Sequence, residues 1–162
     1  MRLPIHLRNK EVRMSVPANL RNVKDTESNS KCESVEACSE LFDHAVKCCK
    51  TSKVEESIFA FLANGIIQQS LEIYLDAYGA NGVPYRPGQI TEDNYNERRK
   101  LILRAMKGCS NLEGLVTLGK RSFHWRNKKI KYWVGLTVKT GELLSHWLRW
   151  CENEYSNSRT IN

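Results

Sequence analysis

The sequence predicts an all-α protein, an up-and-down bundle of about five helices, and three observations carry that expectation. Apolar residues recur at three-four spacing through several long windows, the pattern of one buried helix face. Three Ser-x-x-Glu capping boxes stand at or near the starts of such windows. No segment alternates apolar and polar residues for long enough to build a half-buried strand.

The 162 residues are one domain's worth of chain. Residues 1–30 are expected to form an extended or flexible arm, because Pro4 and Pro17 interrupt them and Asn19 to Ser30 is polar without periodicity. A helical domain is expected over residues 31–156, followed by a short tail over 157–162. Ser30-Lys31-Cys32-Glu33 opens the first helix: the serine oxygen accepts from a first-turn amide and the glutamate reaches back to the cap. Val35, Cys38, Leu41, Phe42, Ala45, Val46 and Cys49 then make one apolar stripe, ended by Lys50-Thr51-Ser52-Lys53.

Ser52-Lys53-Val54-Glu55 opens the longest apolar segment, Val54 to Tyr78. Its apolar residues, from Ile58, Phe61 and Leu62 through Ile66, Leu71 and Leu75, cover more than one face, so this helix sits centrally or carries a subunit interface. Gly65 costs about 1 kcal/mol against alanine in mid-helix, and is expected to permit a close helix approach. Gly79 is the expected stop. Ala80 to Ile90, with Gly82, Pro84, Pro87 and Gly88, reads as the one substantial loop. Thr91 caps a helix from Glu92 to Lys107, with Tyr95, Leu101, Ile102, Ala105 and Met106 inward and Arg98, Arg99, Lys100 and Arg104 mostly outward. Gly108 ends it. Ser110-Asn111-Leu112-Glu113 opens another helix, which Gly119 can break. After Gly135, Thr137 or Thr140 caps a final helix with Leu143, Leu144, Trp147, Leu148, Cys151 and Tyr155.

Composition narrows the function classes. With 41% apolar and 27% charged residues the chain is of ordinary globular type rather than wholesale disordered. No window approaches 18 consecutive apolar residues, and Met1 to Met14 has scattered charges and no apolar core, so neither a membrane span nor a secretory signal is expected. Six cysteines without scaffold spacing or a C-x-x-C pair read as core thiols, and a cytoplasmic location is expected. The net charge of +7 is unevenly spread: between Arg98 and Lys131 eleven cations face one acid, Glu113. That balance points to an anionic partner, nucleic acid ahead of a membrane surface, with a merely solvated basic face as the alternative.

Metal and cofactor chemistry finds no foothold. His6, His44, His124 and His146 are scattered without a His-x-x-x-His pair, and no phosphate-cradling Gly-rich loop or G-x-S-x-G elbow occurs. No metal and no cofactor are expected. What remains is the stretch Phe123-His124-Trp125-Arg126-Asn127-Lys128-Lys129-Ile130-Lys131-Tyr132-Trp133, the most basic in the chain and interleaved with aromatics. Phe123, Trp125, Tyr132 and Trp133 have two readings, stacking on bases or packing in the core.

The order of a striped helix, a long apolar helix, a basic helix, an Arg-Asn segment and a Leu/Trp-rich closing helix resembles the HEPN superfamily (higher eukaryotes and prokaryotes nucleotide-binding), over roughly residues 34–155. Arg126-Asn127-Lys128-Lys129-Ile130-Lys131 looks like its Arg-polar-x-x-x-His signature, with lysine where the family has histidine. The resemblance implies a HEPN-like bundle acting as a homodimer on RNA or a nucleotide, in a toxin–antitoxin or defence setting with an antitoxin-type protein as a further partner. It implies metal-independent endoribonuclease chemistry in which Arg126 holds the scissile phosphate and Asn127 orients the catalytic pair. Lys131 stands at the acid/base position, and His124 is the nearby substitute. A lysine, with an unperturbed pKa near 10.4, is a poor base at neutral pH but still binds phosphate. The implied activity is therefore lost or weakened, and Arg121, Lys128, Lys129, Arg98 and Arg99 are the expected nucleic-acid contacts. Two other readings stand beside it: a non-catalytic nucleic-acid-binding helical module, and a protein–protein interaction scaffold using the apolar second helix and Trp147/Trp150.

Overall fold

The computed structural model describes residues 26–50, 58–86 and 88–160, with side chains from Glu33 in the first helix and Ala60 in the second. Secondary structure among them is entirely helical: α1 (Thr26–Lys50), α2 (Ile58–Gly82), α3 (Glu92–Ser122) and α4 (Asn127–Thr160). Each helix packs on two others, in the ring α1–α2–α3–α4–α1. Short connections of the kind between α3 and α4 make successive helices antiparallel. One end of the bundle therefore gathers the C-termini of α1 and α3 with the N-termini of α2 and α4. The loop from Val83 to Thr91 lies at the other end.

The core follows the three-four periodicity. Leu41 and Cys38 of α1, Ile66 and Ile73 of α2, Ile102, Leu112 and Val116 of α3, and Trp133, Leu144 and Trp147 of α4 are fully buried. Thr91 caps α3 as expected, its hydroxyl accepting the Asn94 N–H at 3.2 Å, with Glu92 and Asp93 in the first turn where acids favour the helix dipole.

Four helices form among the described residues where about five were expected, and tertiary packing is the reason. Gly108 was expected to end a helix and Gly119 to break one, yet α3 runs through both. At each, the absent side chain makes room for a neighbour. A Cβ on Gly108 would meet Ile73 Cγ1 at 2.6 Å, and one on Gly119 would meet the Trp125 ring at 2.6 Å. The helix absorbs about 1 kcal/mol of glycine propensity at each site in exchange for close approach of α2 and of the α3–α4 turn. Gly119→Ala therefore destabilises by about 1–3 kcal/mol despite its better helix propensity, because the indole has nowhere to go; chemical denaturation compared with wild type measures this.

Other boundaries shift too. α1 begins at Thr26, so the Ser30 box lies inside it; the Ser52 box lies outside the described residues. Ser110 is an exposed mid-helix residue, α2 continues past Gly79 to Gly82, and α4 absorbs Gly135, Thr137 and Thr140. Of the expected arm, residues 1–25 lie outside the described residues and 26–30 belong to α1. The expected tail is helical through Thr160. Gly65 has no close neighbour: a Cβ added there would find nothing within 4 Å, so packing within the chain does not account for this glycine.

At the loop end, Arg98 overturns its outward assignment. It is only 3% exposed, donates to the Val83 carbonyl just beyond the C-terminus of α2, and lies 4.3 Å over the Tyr85 ring. Tyr85 in turn donates its hydroxyl to the Cys151 carbonyl of α4. The pair pins the loop onto α3 and α4.

Candidate nucleic-acid interface

The α3–α4 corner is a turn between two long helices, built by its aromatics. Phe123 closes α3 with its N–H on the Gly119 carbonyl, and stacks on Trp125 at 4.8 Å between ring centroids. Trp125 is buried over Gly119, 5.2 Å from Trp133. His124 between them adopts φ 50°, the left-handed region that few non-glycine residues enter, which swings the chain from one helix into the next. It is exposed and not helical, so the helical pairing of His124 with Lys128 does not form. The Arg126 carbonyl accepts the first α4 bond, from the Ile130 N–H at 3.2 Å, which puts Arg126 at the N-terminal cap position.

Arg126, Asn127, Lys128 and Lys131 are all exposed here, and so are Lys120 and Arg121. The first turn of α4 holds no acid. From Gly114 to Gly141 the chain carries seven cations (Lys120, Arg121, Arg126, Lys128, Lys129, Lys131 and Lys139) and no acid. Unsatisfied amides at the start of α4 add their partial positive charge to those side chains. Lysines in that first turn oppose the helix dipole, so the arrangement disfavours the isolated helix and favours an anion.

The other expected nucleic-acid contacts do not join this corner. Arg98 is buried, as above. Arg99 faces Glu152 at 3.5 Å. Both lie 22 residues or more before Arg121 on α3, about 33 Å along the axis. Phe123, Trp125 and Trp133 pack in or against the core, leaving Tyr132, 55% exposed, as the aromatic open to a base.

Lys129 turns inward. Its Nζ donates to the Cys48 carbonyl of α1 at 3.4 Å and lies 5.3 Å over the Trp125 ring. The Cys48 carbonyl is one of the last in α1, so a cation there complements the C-terminal dipole. Beside it is a hollow between α1 and α4 of about 360 Å³, lined by His44, Lys47, Cys48, Lys129 and Tyr132. His44 sits edge-on to Tyr132 and Trp133 at 4.9 and 5.2 Å, with its Nε2 3.3 Å from the Cys48 sulfur. Burial, then Lys129 and Lys47, holds the His44 pKa below the usual imidazole range. Burial pushes the Cys48 thiol upward against the same two lysines, so it is not poised as a thiolate. Sequence reasoning missed this cluster. The four-residue spacing of His44 and Cys48 puts them on one helix face, but the approach of Lys129 from 81 residues away leaves no local signal.

Among the described residues, no group of three or more His, Cys, Asp or Glu residues is placed to hold a metal ion, and no helix is long and apolar enough to cross a membrane. No family model matches the chain, and no curated protein and no solved structure matches it.

Proposed function

We propose that the chain is a HEPN-like, RNA-associated protein that binds phosphates at the α3–α4 corner, with ribonuclease activity lost or weakened. The observation that carries this reading is the acid-free basic corner at the start of α4. Arg126 caps that helix, Asn127 opens it, and Lys131 follows one turn on. Arginine and lysine supply phosphate contacts without needing a metal, while a lysine in place of histidine deprives the site of a base matched to neutral pH. The expected result with labelled single-stranded RNA is retention that falls steeply with salt, no cleavage with or without EDTA, and weaker retention by Arg126→Ala. Cleavage that ignores EDTA and vanishes in Arg126→Ala would instead establish an active ribonuclease. Retention that ignores both salt and the substitution would sink the reading.

The homodimer belongs to the same proposal, and its best-placed surface is the outer side of α2. Phe61, Asn64, Gln68, Leu71, Leu75 and Tyr78 are all exposed and repeat in alternating steps of three and four, directly opposite the buried Ile66, Ile73 and Ala77. α2 contains no lysine or arginine, so two copies can approach without cationic repulsion. Gly65 flanks the stripe, where a second helix coming close would account for it. This surface also favours the scaffold reading, though without its tryptophans, because Trp147 is buried and Trp150 packs against the core.

A further inference from the structure

We propose that the hollow between α1 and α4 is a second binding site, for a phosphate group held by Lys47, Lys129 and His44, distinct from the exposed Arg126 corner. Three nitrogen-bearing side chains from two helices converge on one concavity of about 360 Å³, within the size range of small-ligand pockets. The two lysines supply fixed positive charge. The imidazole is a proton donor when charged, and Tyr132 supplies both an exposed ring and a hydroxyl. The groups facing His44 are Glu40, Lys47 and Cys48 on its own helix and Lys129, Tyr132 and Trp133 on α4. Glu40 is the one acid among them, and the Tyr132 hydroxyl donates to it at 3.4 Å. With Lys47 and Lys129 both charged, the hollow is electropositive even before His44 takes a proton.

The arrangement makes binding proton-linked. His44 is held below its ordinary pKa in the protein alone, chiefly by burial and then by the two lysines. A phosphate in contact with the ring favours the imidazolium, so the bound pKa is the higher one and binding takes up a proton. Affinity therefore rises as the pH falls through the bound-state pKa, and levels off below the free-state pKa. This site and the Arg126 corner stand or fall separately, because they use different side chains.

The test is titration of the full chain with the dinucleotide UpU, whose phosphodiester keeps one charge between about pH 5 and 8, and in parallel with inorganic phosphate, followed through the His44 ring resonances by NMR. Both probes are expected to shift those resonances to saturation, and UpU is expected to raise the His44 midpoint by about one pH unit, as an opposite charge in contact does. Lys47→Gln, an exposed change that leaves the core intact, weakens both probes about tenfold, the value of one charge-assisted hydrogen bond. His44→Gln removes the pH dependence of UpU binding. Unmoved His44 resonances, or full affinity in Lys47→Gln, would overturn the proposal. So would saturation by UpU but not by inorganic phosphate, since the recognised group would then be the base. In each of those cases, salt-dependent RNA retention lost in Arg126→Ala would leave the proposed function intact.

Discussion

Arg98→Ala is expected to lower the stability of the bundle by about 3 kcal/mol, and Arg98→Met to restore most of that loss. The alanine variant deletes a large buried side chain, strands the Val83 carbonyl, and takes the cation from above the Tyr85 ring. Relief of the buried charge offsets part of this: desolvation already lowers the Arg98 pKa, although a guanidinium stays protonated. Methionine keeps the aliphatic stem without the charge, leaving chiefly the orphaned carbonyl at about 1 kcal/mol. Urea unfolding followed by circular dichroism gives both values. An alanine variant within about 1 kcal/mol of wild type would show that the loop is held without Arg98, contrary to its place between Val83, Tyr85 and Trp147.

Leu75→Glu is expected to convert a dimer into a monomer, with self-association weakened by a hundredfold or more. Leu75 lies in the C-terminal half of the outer stripe of α2, between Leu71 and Tyr78 and exposed. A carboxylate there would be buried in the seam without a cationic partner, since α2 has none. In the single chain the position is open to water, so the fold itself tolerates the change. Phe61→Cys adds the geometry. It is 82% exposed, and if the two copies of α2 run parallel it meets its own counterpart and forms a disulfide-linked dimer under mild oxidation. Parallel pairing also places both basic corners at one end of the assembly, doubling the phosphate-binding surface offered to one strand. Sedimentation of the parent and the Leu75 variant decides the first point. A monomeric parent would remove the homodimer from the proposal.

The helical class was legible in the sequence because it is written locally. Apolar spacing marked the buried faces of α1 and the second half of α4, and Thr91 marked the start of α3. On α2 it chose no face, because Phe61, Leu71, Leu75 and Tyr78 lie exposed opposite the buried Ile66 and Ile73. The helix count was not, because Gly108 and Gly119 carry the same local signal whether they stop a helix or admit Ile73 and Trp125. Arg98 was misplaced for a related reason: its neighbours Arg99 and Lys100 do face outward, and nothing nearby in sequence announces the Val83 carbonyl or the Tyr85 ring. At the corner, the exposure of Arg126, Asn127, Lys128 and Lys131 matches the expected basic surface. The inward turn of Lys129 toward Cys48 and the role of His44 depend on how α4 lies against α1, which no window of sequence encodes.

Among the described residues, Cys38, Cys48, Cys49, Cys109 and Cys151 are buried thiols distributed over α1, α3 and α4. While the bundle is closed, burial pushes the Cys38, Cys48, Cys49 and Cys109 thiols upward, Cys49 to about 11, and keeps all five sulfurs away from oxidants. Opening the bundle removes that shelter from all of them at once, on segments that can then reach one another. Wrong pairings made in the open chain would cross-link helices that belong apart in the core and block return to the native packing. In air, heat unfolding then measures a rate of escape rather than an equilibrium, and a reductant makes the transition reversible. The fold protects its own chemistry only for as long as it stays folded.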